Sequence, residues 1–108
     1  MAFTPYHNIT GSSGVDVELI APVSGIGSIN SILITNTHAT ADATVSLFLE
    51  DDPTAVAASI FKILSTVAIP ADTSLLLDNS SMISFDNNTY GLYMTVGSSD
   101  TLDVMINI

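Results

Sequence analysis

Apolar and polar residues alternate with a period of two in several segments of this chain. Residues 44–50 have the sequence TVSLFLE, which places Val45, Leu47 and Leu49 on one face of an extended strand. Alternation of the same kind predicts further strands at residues 15–19, residues 92–96 and residues 101–107. Each of these strands is expected to bury one face and to expose the other.

Three other segments also predict strands, although their patterns are less regular. Residues 28–36 contain the apolar run Ile32-Leu33-Ile34, which is typical of a strand covered on both faces by a second sheet or a neighbouring subunit. Residues 56–67 could be drawn as a helix, but their β-branched residues and the prolines on either side favour a strand with a bulge. Residues 74–78 predict a short strand.

The segments between these strands are polar and rich in turn residues. The stretch 31–52 predicts a hairpin in which the apolar runs 32–34 and 45–49 pair across a polar turn that contains His38. GSSD at residues 97–100 predicts a second β-hairpin. Residues 79–88 predict a polar crossover. Three apolar residues of this crossover are expected to close one end of the core, namely Met82, Ile83 and Phe85.

The strand pattern as a whole predicts an all-β protein. About seven to eight short strands separated by Gly, Pro, Asn and Asp are typical of a single antiparallel β-sandwich, either jelly-roll or Ig-like. We expect residues 15–108 to form this domain. Residues 1–14 lack a regular period and contain Pro5, Gly11 and Gly14, so they predict an irregular N-terminal arm that a neighbour orders.

The charge of the chain restricts its partners. Eleven acidic residues face one basic residue, Lys62, and the net charge is −10. Because nucleic acids and anionic membranes are bound largely through Lys and Arg, we expect neither as a partner. There is no cysteine among the 108 residues, which excludes disulfides and thiolate sites.

The candidate chemical sites have simpler structural explanations. Glu50, Asp51 and Asp52 are consecutive, so in a strand their side chains point alternately, and a solvated strand end fits them better than a calcium site. His7 and His38 lack the spacing that places two imidazoles on one metal, and both are expected in surface turns. We therefore predict no catalytic residue, no metal site, no cofactor and no enzyme activity.

Two residues stand out as candidates for a subunit contact. Phe48 is apolar on the strand face that should be polar. Lys62 lies between Phe61 and Ile63 and is expected either to face solvent or to pair with an acidic group of a neighbouring subunit.

Four stretches of the chain resemble small structural proteins of tailed bacteriophages, especially those that infect marine bacteria and cyanobacteria. They are MAFTPY at the start, INSILITNTHATADATVSLFLED from Ile29, IPADTSLLLD from Ile69 and ISFDNNTYGL from Ile83. The resemblance covers most of residues 1–96. It implies a multi-copy component of the virion, made in the host cytoplasm, and most specifically a decoration or cement protein on the outside of the capsid. A tail, neck or fibre subunit and an Ig-like adhesion or carbohydrate-binding module are the alternatives.

The resemblance also implies how such a protein would act. Its partners would be other copies of itself, with a trimer as the expected homo-oligomer, and the major capsid protein or other virion proteins. The arm would dock on a neighbour through Phe3, Pro5 and Tyr6, with Phe48 and Lys62 as the further interface residues.

Overall fold

Eight β-strands and no helix lie in the residues that the structure describes. The computed structural model describes residues 6–11, 16–51, 59–97 and 100–108, and for residues 79–82 the backbone alone. The strands are β1 (Tyr6–Thr10), β2 (Val17–Ile20), β3 (Ser28–Asn36), β4 (Ala43–Glu50), β5 (Ile60–Ile69), β6 (Ser74–Ser84), β7 (Gly91–Val96) and β8 (Thr101–Asn107). The predicted all-β class is confirmed.

The strands pair in a nested order. β4 pairs with β5, β3 with β6, β2 with β7 and β1 with β8, and every pair is antiparallel. Two further pairs, β3 with β8 and β4 with β7, join the strands into two four-stranded sheets. The first sheet has the order β1-β8-β3-β6 and the second has the order β2-β7-β4-β5. This is the jelly-roll form of the predicted β-sandwich, not the Ig-like form.

The inward-facing side chains of the two sheets form one hydrophobic core. Ile32 and Ile34 of β3 face Val45 and Leu47 of β4 across the sandwich, and none of the four has any exposed surface. Each buried side chain of this size contributes about 2 kcal/mol relative to an exposed one. The period of two therefore predicted Val45 and Leu47 correctly as core residues, but the expected exposure of the other face is wrong, because Ser46, Phe48 and Glu50 are buried too.

Strand β5 is bulged, as its sequence predicts. Its pairing with β4 shifts register twice, between Val45 and Leu47 and again between Leu47 and Phe48. At the first shift Thr66 has a φ of 53° and donates its backbone N–H to Ser46 Oγ at 2.9 Å. β5 is an edge strand, and bulges of this kind hinder the pairing of an edge with other chains. Residues 56–58 of the predicted segment lie outside the described residues.

The predicted boundary of the N-terminal arm is wrong for Tyr6–Thr10. These residues form β1, which pairs with β8 from Tyr6 opposite Met105 to Thr10 opposite Thr101. Ile9 is 5% exposed and belongs to the core. The sequence conceals this strand because only one strongly apolar residue points inward from it. Residues 1–5 and 12–15 of the predicted arm lie outside the described residues.

Both predicted turn pairings are wrong. β3 and β4 lie in different sheets, and so do β7 and β8, so neither pair of consecutive strands forms a hairpin. The reason is that alternation shows that a segment is a strand but not which strand it pairs with. The crossover predicted at residues 79–88 is also wrong in its first half. There β6 continues to Ser84 and remains paired with β3.

The core-closing role of the segment after residue 78 is correct for two of its three residues. Ile83 is buried and Phe85 packs against the core at its edge. The side chain of Met82 is not among those described.

The side chains of two buried asparagines hold the loops that connect the two sheets in place by hydrogen bonds. Asn36, which has no exposed surface, donates from Nδ2 to the carbonyls of Ala41 at 2.9 Å and Ile69 at 3.0 Å. Its Oδ1 accepts the backbone N–H of His38 at 3.0 Å. Asn36 therefore ties the end of β3 to the end of β5 in the other sheet.

Asn87 has the corresponding role at the other end of the sandwich. Its Oδ1 accepts three successive backbone N–H groups of residues 24–26, at 2.7, 2.8 and 3.2 Å. Its Nδ2 donates to the carbonyls of Ala21 and Tyr90. Gly25 has a φ of 85°, a conformation that suits glycine, and this lets the three N–H groups converge on one oxygen.

Candidate interaction surface

The outer face of the first sheet carries one apolar side chain from each of its four strands in a single row. Tyr6 of β1 lies opposite Met105 of β8, Met105 lies opposite Leu33 of β3, and Leu33 lies opposite Leu76 of β6. We call Tyr6, Met105, Leu33 and Leu76 the apolar row. Tyr6 is 69% exposed, Leu76 54% and Met105 44%, and Leu33 is half-buried.

The apolar row forms the floor of an open depression. The depression has a volume of about 370 Å³, and Ser31, Ile106 and Asn107 complete its lining. Neighbouring strands are about 4.8 Å apart, so a row across four strands is about 14 Å long. The length and the shallow shape suit a segment of a protein better than a small substrate.

Polar side chains border the apolar row on both sides. On one side, Asn8 Nδ2 donates to Asp103 Oδ1 at 2.5 Å, and the hydroxyls of Thr35 and Ser74 hydrogen bond at 2.9 Å. On the other side, Asn107 and Asp78 both lie opposite Ser31. An apolar strip with a polar rim is the usual anatomy of a protein contact surface.

The outer face of the second sheet has a comparable row across its four strands, but the aromatic rings in this row are shielded from solvent. Glu18 of β2, Tyr93 of β7, Phe48 of β4 and Lys62 of β5 lie opposite one another in turn. We call these four residues the covered row. The Phe48 and Tyr93 rings are stacked with centroids 6.3 Å apart, and Lys62 Nζ lies 4.9 Å from the centre of the Phe48 ring.

The covering leaves almost none of the two rings accessible. Phe48 is 3% exposed and Tyr93 is 2% exposed. At the other end of the row, Tyr93 Oη donates to Glu18 Oε2 at 3.4 Å. The only basic residue of the chain thus covers an aromatic ring of the chain itself.

The structure does not bring the five predicted interface residues together. Tyr6 belongs to the apolar row, whereas Phe48 and Lys62 adjoin each other on the opposite face of the sandwich. Phe3 and Pro5 lie outside the described residues. A subunit contact at Phe48 stays a prediction, but a neighbour there would meet the side chain of Lys62 before it met the ring.

The acidic triplet has a structural role where it is described. Asp51 Oδ1 accepts the backbone N–H of Ser59 at 2.8 Å. Glu50 is buried at the end of β4, so the predicted solvated strand end is wrong for this residue. Asp52 lies outside the described residues. Over the described ranges, no group of three His, Asp or Glu side chains could hold a metal ion.

Both histidines were predicted in surface turns. The prediction is correct for His38 and wrong for His7. His38 Nδ1 accepts the backbone N–H groups of Thr40 at 3.1 Å and Ala41 at 3.0 Å, which stabilises the loop between β3 and β4. His7 instead lies in β1 with its side chain partly buried, because it shares the inward face with Ile9. Its Nε2 has no hydrogen-bond partner among the described residues.

Sequence reasoning missed three members of the apolar row. Leu33 was visible as the middle of a continuous apolar run, and Met105 as an apolar residue on the polar side of an alternating strand. Leu76 was hidden in the short run SLLLD. The missing information was the pairing of the strands, because only the pairing places these residues side by side.

No family model, curated protein or solved structure matched this chain when it was compared with each of them. In the part of the chain that is described, no helix is long and apolar enough to cross a bilayer.

Proposed function

We propose that this protein is a non-enzymatic structural component of a bacteriophage particle, most specifically a decoration or cement protein on the outside of the head. The observation that carries the proposal is the open apolar row on all four strands of the first sheet. A contiguous apolar surface of this kind is suited to adhesion, since burying it against a partner is favourable without any chemical step.

The charge of the chain supports a position on the outer surface. With a net charge of −10, the protein is repelled by packaged DNA and has few means of binding phosphate. The fold is compatible with the proposal, because jelly rolls are found among viral capsid domains, although they are also found among lectins.

Labelling of virus particles tests this proposal. Antibodies against the purified protein, carrying gold particles, would be applied to virions released from cells that express this gene. Label on the head surface is the expected result. Label on the tail, neck or fibres would support the alternative location, and particles without label would contradict a virion role. Sedimentation of the purified protein would test whether the oligomer is the proposed trimer.

A carbohydrate-binding module is the second candidate. The structure brings together Phe61 and Tyr90, whose rings meet edge to face with centroids 5.6 Å apart, and Phe61 is 56% exposed. Exposed aromatic rings are suited to stacking on sugars. Binding on a glycan array that is lost in Phe61→Ala would favour this function over a cement protein.

A further inference from the structure

Among the described residues, the charged side chains that border the apolar row are both acidic. The charged side chains that flank it are Asp103, two residues from Met105 along β8, and Asp78, two residues from Leu76 along β6. The chain has a single basic residue, Lys62, and it lies on the other sheet, over the ring of Phe48. Over the described ranges, no lysine or arginine side chain is therefore placed to neutralise the two carboxylates.

This charge pattern argues against a second copy as the occupant of the row. A second copy that docked by the same face would bring its own Asp78 and Asp103 to the contact, and a copy that docked by any other face would still bring a net charge of −10. Like charges on facing surfaces disfavour association and slow the encounter. The occupant that complements this surface is apolar at its centre and basic at its edges.

The covered row of the second sheet shows the same complementarity within the chain. There an aromatic pair lies between a carboxylate, Glu18, and a cation, Lys62. The first sheet supplies the apolar residues and the carboxylates, but it lacks the cation. A partner that brings Lys or Arg would complete on the first sheet the arrangement that the second sheet already has.

The geometry also gives the dimensions of the occupant. The apolar row is about 14 Å long, which matches about two and a half turns of an α-helix. Two residues along a strand correspond to about 7 Å, so the carboxylates lie about that distance to either side of the row. A helix with an apolar stripe and basic residues on both flanks of the stripe has this shape.

We propose that the apolar row is the docking site for an apolar segment flanked by Lys or Arg on a different protein. The inference rests on the proposed function, because it specifies what a cement protein of this shape would hold on the particle. The partner is recognised by apolar burial along the row and by pairing with Asp78 and Asp103.

Binding of two synthetic helices tests the proposal. One probe is an amphipathic peptide of about 15 residues with a leucine stripe flanked by lysines, and the other has glutamate in place of every lysine. We expect the full-length protein to bind the lysine peptide about tenfold more tightly than the glutamate peptide. Combining Asp78→Asn with Asp103→Asn should reduce that preference to about twofold.

Matched substitutions show whether the row is the site. Leu76→Ser should weaken binding of the lysine peptide about fivefold, because part of a leucine side chain would no longer be buried. Ile60→Ser changes a side chain of similar exposure, 48% against 54%, on the second sheet, and binding should stay within about twofold. The melting temperature of each variant would confirm that it is folded.

Three results would overturn the proposal. They are equal binding of the two peptides, binding that Leu76→Ser leaves unchanged, and self-association that Leu76→Ser abolishes, since the last would make a second copy the occupant. Separately from these three, a marked rise in peptide binding in the full chain with Phe3→Ser would also overturn the proposal, because it would identify the chain's own N-terminal residues as the occupant. None of these results depends on particle labelling, so the docking site and the virion role can fail separately.

Discussion

At the scale of single residues, Asn36 shows how one polar side chain can join the two sheets. It is fully buried, and all three of its hydrogen bonds reach backbone groups, on the loop after β3 and at the end of β5. A buried carbonyl or N–H that loses its partner is costly, because water cannot replace the lost bond.

We therefore expect Asn36→Ala to lower the free energy of unfolding by about 3 kcal/mol. Asn30→Ala is the matched control, since Asn30 lies in the same strand but is exposed, and it should change stability by about 0.5 kcal/mol or less. Equilibrium unfolding in urea measures both values. Equal effects of the two substitutions would show that the buried hydrogen bonds of Asn36 contribute little.

Lys62 is a second residue to which the structure assigns a contact within the chain. Its ammonium lies over the Phe48 ring, which is almost completely buried, and lysine stems commonly cover apolar surface in this position. Lys62→Ala should destabilise the isolated chain by about 1 kcal/mol, and Lys62→Met, which keeps the stem, by about half as much.

A double-mutant cycle with Phe48→Leu separates the ring contact from other effects of Lys62. If Lys62→Ala costs as much in the Phe48→Leu background as in the wild type, the lysine does not act through the ring. A loss of assembly without any loss of stability would instead support the subunit contact predicted from the sequence.

At the scale of elements, β1 differs most from its sequence prediction. Ile9→Ala should lower the free energy of unfolding by about 3 kcal/mol if these residues are a core strand, because a buried cavity would be left. Tyr6→Ala, on the outward face of the same strand, should change stability by about 0.5 kcal/mol or less. Urea unfolding of both variants would distinguish a strand from an arm, for which both substitutions would be harmless.

The sequence predicted strands far better than it predicted their partners. Residues 44–50 and 101–107 were recognised because apolar residues recur at every second position and point into the core. The bulge in β5 was predicted from its β-branched residues and the flanking prolines. The pairings of β3 and β8 were not recognised, since long-range pairing leaves no local trace. The apolar row was missed for the same reason, because it exists only in the register of four strands.

At the scale of the whole molecule, the charge balance should make stability depend on salt. The eleven acidic residues, which a single basic residue barely offsets, repel one another more in the compact fold than in the unfolded chain. We expect the melting temperature to rise by about 5 °C between low and physiological ionic strength, where the screening length falls to about 8 Å.

The exposed position of Asp78 offers a matched test of this dependence. Asp78→Lys reduces the net negative charge and should raise the melting temperature at low salt while it flattens the response to added salt. A melting temperature that is unchanged by salt in both proteins would show that the charges are too dispersed to matter. The measurement needs only a thermal scan at several salt concentrations.

The nested strand pairing also has a consequence for the order of folding. β4 and β5 are neighbours along the chain, whereas β1 and β8 join residues 95 positions apart, as in the bond between Asn8 and Asp103. Since closing a longer loop costs more entropy, we expect β1 and β8 to pair last. Peptide binding during refolding would test this order, and binding that precedes the slowest phase would contradict it. Tyr6 and Met105 belong to that last pair, so the apolar row would be completed only at the end of folding. By then the chain no longer exposes the unpaired strands through which partly folded chains aggregate.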